Sequence, residues 1–116
     1  MKKLLFPLFI TVAILASCSL TSQTFIGPQK AFELGDGKHG AFTAIVKNDC
    51  GVPVVIYKMP LGDTAIKLAT LIPGQKKTIR FAANTKAIFK NNSNAEAVVK
   101  LKVTGDTGLS MGGPNY

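Results

Sequence analysis

Glu96-Ala-Val-Val-Lys-Leu-Lys-Val-Thr104 decides how the chain folds. Ala97, Val99, Leu101 and Val103 recur at every second position, while Lys100, Lys102 and Thr104 fill the positions between them. Side chains of a strand point alternately to its two faces, so this stretch predicts a half-buried strand with one apolar and one cationic face. Gly105-Asp-Thr-Gly108 ends it.

The same period of two recurs upstream. Phe42–Lys47 places Phe42, Ala44 and Val46 on one side. Val52–Met59 is apolar on both faces, as a central strand is, and Pro53 falls near its beginning, where a missing N–H does least harm. Thr64–Leu71 sets Ile66 and Leu68 on one face, and Lys77–Ala83 does the same with Ile79, Phe81 and Ala83. Between them, Ile72-Pro-Gly-Gln75 has Pro second and Gly third, the order a type II turn prefers. Ala87–Lys90 is a short apolar run closed by a turn at Asn91-Asn-Ser-Asn94. Leu109 and Met111 offer a short last strand in an otherwise irregular tail. The expected fold is all-β: a small antiparallel β-sandwich or Greek-key barrel of about six or seven strands.

The N-terminus reads differently. Met1-Lys-Lys3 is basic, and Leu4 to Ala16 is uncharged and apolar apart from Pro7 and Thr11. Those 13 residues would rise about 20 Å as a helix, short of the roughly 30 Å of bilayer hydrocarbon but suited to a signal-peptide core. Leu15-Ala16-Ser17-Cys18 follows at once. This tetrapeptide resembles the lipobox of bacterial lipoproteins. The resemblance implies cleavage between Ser17 and Cys18 and a diacylglycerol on the Cys18 thiol, with the freed amine open to acylation. One acyl chain holds a protein weakly, whereas two or three anchor it stably. Ser19 rather than Asp after that cysteine implies the outer membrane, if the cell is Gram-negative. The chain then divides into a signal peptide (1–17), a lipid-anchored tether and loop (18–40) with an edge strand conceivable within 24–34, and a β domain (41–116).

At 116 residues there is room for one domain, and 47% apolar content is that of a globular chain. Two cysteines and one histidine exclude a disulfide scaffold and the usual zinc frameworks, so no metal or cofactor is expected. His39 stands among glycines with no nucleophile motif beside it and reads as a solvated loop residue. Cys50, in Asn48-Asp-Cys-Gly51, reads as an inert small side chain rather than a reactive thiol. Asp36, Asp49, Asp63 and Asp106 lie in turns without the spacing of a calcium loop. No catalytic residue is expected.

The basic surplus is spread out. Loss of Lys2 and Lys3 with the signal peptide lowers the net charge from +8 to +6. Residues 41–104 hold Lys47, Lys58, Lys67, Lys76, Lys77, Arg80, Lys86, Lys90, Lys100 and Lys102 against Asp49, Asp63 and Glu96. The first reading is a solvated face whose lysines discourage edge-to-edge pairing. The second is a surface for an anionic envelope component or an acidic protein patch. Nucleic acid is not expected, because no strand interleaves aromatics with basic residues. The functional expectation is a membrane-anchored, non-catalytic binding or structural accessory of the envelope. Its alternative is a periplasmic inhibitor or immunity-type protein that blocks a partner enzyme.

Overall fold

The computed structural model describes residues 19–112; the expected signal peptide, Ser17 and Cys18 lie outside them. Nine strands follow in chain order: β1 (Ser19–Ile26), β2 (Ala31–Leu34), β3 (Phe42–Asn48), β4 (Val54–Pro60), β5 (Ile66–Leu71), β6 (Lys76–Phe81), β7 (Thr85–Lys90), β8 (Ala97–Gly105) and β9 (Met111–Gly112). They form two antiparallel sheets, β1-β8-β3-β6 and β5-β4-β7-β2-β9. The fold is a β-sandwich, which decides between the sandwich and the barrel. The β4–β5 hairpin is the connection that joins neighbours within a sheet; the others cross between sheets.

Alternation builds the core from both sides. Ala44 and Val46 of β3 face Val103 and Leu101 of β8, all four buried. From the other sheet come Val54, Ile56, Ala87 and Phe89. Two stacked pairs brace the interior: Phe32 with Phe89, centroids 6.2 Å apart, and Phe42 with Phe81 at 4.9 Å. The turn at Ile72–Gln75 closes with Gln75 N–H donating to Ile72 O at 3.0 Å, and Gly74 takes the positive φ of 83° that a type II turn requires. Gly105, at φ 97°, ends the central ladder so close to β3 that a Cβ there would lie 2.8 Å from Ala41 O.

Three expectations need correction. Residues 18–40 are more than tether and loop, because β1 and β2 add one strand to each sheet and bring the total to nine. Thr24 and Ile26 of β1 are buried, so this segment belongs to the domain. Ile66 does not reach the core: it lies across from Lys58 on edge strand β5, 45% exposed, beyond a bulge that brings Leu68 against the interior instead. Ala83 is exposed too, because β6 stops at Phe81 and the chain turns toward the other sheet.

The nine strands and the core they enclose among the described residues draw on side chains from Thr24 to Val103, so a chain beginning at Ser19 contains all of these strands. In that fragment, Leu101→Ala is expected to cost about 2–5 kcal/mol, since it hollows the middle of the core. Lys102→Ala, one residue on and exposed, should change stability by no more than about 0.5 kcal/mol. Urea titration of both variants checks the register, and equal losses would show it to be wrong.

Candidate functional site

The outer face of the four-stranded sheet follows from register. Lys47 of β3 stands opposite Lys100 of β8 on one side and Lys76 of β6 on the other. Gln23 of β1 extends that row. In the next row, Ile45 lies between Lys102 and Thr78, with Thr21 beyond Lys102. The third row sets Thr43 between Thr104 and Arg80. Lys47, Lys76, Arg80, Lys100 and Lys102 are all exposed. Adjacent strands are about 4.8 Å apart and alternate residues about 6.8 Å, so the five cations share an area on the order of 10 by 14 Å. Asp49 approaches one of them, its carboxylate 3.7 Å from Lys100 Nζ.

The edge-protection reading explains only part of this face. Edge strand β6 carries Lys76, Lys77 and Arg80, and Lys77 lies opposite Val46 on the inward side of the rim, a common device against edge pairing. Lys47, Lys100 and Lys102, however, sit on the two central strands, whose edges are already paired. Like charges directly opposite one another destabilise a sheet. The contact of Lys47 with Lys100, relieved only at one end by Asp49, therefore works against folding and solves no edge problem.

Among the described residues, His39 and Asp106 meet at Gly40 without a hydrogen bond between their side chains, and Cys50 lies apart from them. His39 Nδ1 donates to Gly40 O at 2.6 Å, its ring packs on Phe42 at 5.4 Å, and buried Nε2 has no hydrogen-bond partner among the described residues. Asp106 accepts from Gly40 N–H at 2.7 Å and Gly108 N–H at 2.9 Å. These two amides, and to a smaller extent His39, hold its carboxyl below the usual range. Cys50 lies past Asn48, at the opposite end of β3 from Phe42 and His39. It is a half-buried free thiol that donates to Asn48 Oδ1 at 2.9 Å. Asp63 takes a turn role by accepting from Thr64 N–H at 2.7 Å, whereas Asp36 lies 3.7 Å from Lys86 Nζ, which pairs with Glu33 at 3.0 Å.

Two asparagines that the sequence presents as ordinary turn residues are fully buried. Asn48 Nδ2 donates to Val52 O and Leu71 O, and its Oδ1 accepts from Cys50 N–H. Asn91 Nδ2 donates to Ile26 O, Gly27 O and Ala95 O, while its Oδ1 accepts from Ser93. They fix the loops at the end of the sandwich nearest the lysine row. A scan against family models finds no match to this chain, and a search of curated proteins finds no relative.

Two measurements test these assignments. Salt screens exposed charges, so the urea midpoint should rise between about 10 mM and about 150 mM NaCl, and Lys47→Gln should flatten that rise. An unchanged salt dependence would show that the three lysines do not interact. Asp106 has a depressed folded pKa, so its contribution is present above the usual carboxylate range and is lost as pH falls through the lower folded value. The wild type should therefore lose stability more steeply than Asp106→Asn between about pH 5 and about pH 3, followed by circular dichroism. Parallel curves would show that the Gly40 and Gly108 amides do not favour the ionised form.

Proposed function

We propose that the chain is an exported lipoprotein whose β-sandwich acts, without catalysis of its own, as a binding or structural accessory at a cell-envelope membrane. The observation that carries this reading is the meeting point of the lipobox and the fold. Leu15-Ala16-Ser17-Cys18 ends one residue before Ser19, the first residue of β1. A cut before Cys18 would leave all nine strands intact and put the modified residue directly before an edge strand of the four-stranded sheet. Placing β1 in the sheet shortens the tether, so a lipid on Cys18 would hold the sandwich close to the bilayer instead of on a long leash. The wide separation of His39 from Cys50, and the occupation of Asp106 and Asp63 with backbone amides, support a binding role over a catalytic one.

Cys18→Ser in the full chain is expected to abolish membrane fractionation while the β-rich circular dichroism spectrum of the sandwich is retained. A variant that is processed as before and still sediments with membranes would refute the anchor. Recovery of one stoichiometric enzyme by the fragment 19–116 would instead favour an inhibitor.

A further inference from the structure

We propose that the outer face of the β1-β8-β3-β6 sheet docks on the surface of an anionic phospholipid bilayer through Lys47, Lys76, Lys100, Lys102 and Arg80. Two of these cations, Lys76 and Arg80, suit an edge strand on their own account. The other three lie on central strands, and Lys47 is flanked in register by a lysine on both sides. An arrangement that opposes folding and protects no edge is accounted for by a negative partner that relieves the repulsion when it binds.

The chemistry of the face selects the partner. The open depression at its centre has Lys47, Lys76, Lys100 and Lys102 in its lining and no aromatic ring. The one exposed aromatic of this face among the described residues is Phe25, a row further out opposite Val98, and a single ring is no platform for successive bases. Four of the five cations are lysines, point charges on flexible stems, suited to a diffuse plane of negative charge more than to bidentate capture of one group. An anionic leaflet presents such a plane and asks for no pocket. Its attraction for clustered basic residues fades within a Debye length of about 8 Å, so the charges must lie flat against it together. A sheet face meets that condition. On the reading of Cys18 as the anchor, the lipid would emerge at β1 of this same sheet and keep the face within reach of the bilayer.

Vesicle co-sedimentation with the fragment 19–116 tests the docking without the anchor. The fragment should bind vesicles of about one-third phosphatidylglycerol in phosphatidylcholine, leave pure phosphatidylcholine vesicles, and be released by about 0.5 M NaCl. Each basic residue at an anionic surface contributes roughly a fivefold gain, so the triple variant Lys47→Gln, Lys76→Gln, Lys100→Gln should lose about 100-fold in partitioning. The control Lys58→Gln, Lys67→Gln, Lys90→Gln removes equal charge from the other sheet and should stay close to wild type. Equal losses in the two triple variants would overturn the proposal in favour of unspecific net charge. Failure to bind the anionic vesicles would overturn it too, and retention on an acidic polysaccharide resin would then assign the face to a glycan. Because the fragment lacks Cys18, each result is independent of whether the full chain is lipidated.

Discussion

The register between β3 and β8 is the constraint on which the rest of the sandwich depends. Setting Ala44 against Val103 and Val46 against Leu101 buries four apolar side chains at the centre of one sheet. The period of two leaves no freedom about what happens on the reverse side: Lys47 must then meet Lys100, and Ile45 must meet Lys102. A slip of one residue would relieve the lysine contact only by driving two ammonium groups into the core, at a cost far above the repulsion they suffer outside. Core and cationic face are thus two consequences of one pairing.

That pairing has to be closed at its end, and the buried asparagines do this. β3 finishes at Asn48, whose amide ties the carbonyls of Val52 and Leu71 and so joins the start of β4 to the end of β5. Asn91 does the equivalent work between β7, the loop leading into β8, and the last carbonyl of β1. Buried loop carbonyls without such partners would each lose a hydrogen bond to water with nothing in return. An apolar side chain at either position would fill the space and leave the loops unsatisfied.

These differences in role explain what the sequence does and does not reveal. Val99, Leu101 and Val103 are legible because burial of apolar side chains at a fixed period is a local pattern, and Ile72-Pro-Gly-Gln75 because turn chemistry is local too. Ser19–Ile26 is hard to see: its inward positions include the hydroxyls of Ser22 and Thr24, 3.4 Å apart, and its place in the sheet rests largely on backbone pairing with β8. Ile66 and Ala83 fit the alternation and yet stay outside, because strand ends are set by where the facing sheet stops. The lysine row is the least legible feature. Positions 47, 76 and 100 become neighbours only once the order β8-β3-β6 is known.

The meaning of the cationic face turns on β1. Were β8 an edge strand, Lys100 and Lys102 would guard it against pairing with other chains, and no partner would be needed to account for them. β1 covers that edge through pairs running from Ser19 to Ile26, and so turns two protective lysines into a charged surface with no protective task. It is clamped at its far end, where Ile26 is buried and Asn91 binds the carbonyls of Ile26 and Gly27. On the proposal that Cys18 carries the lipid, its anchor would tether the Ser19 end of β1 beside the bilayer while leaving the outer face of the sheet free to lie against the headgroups.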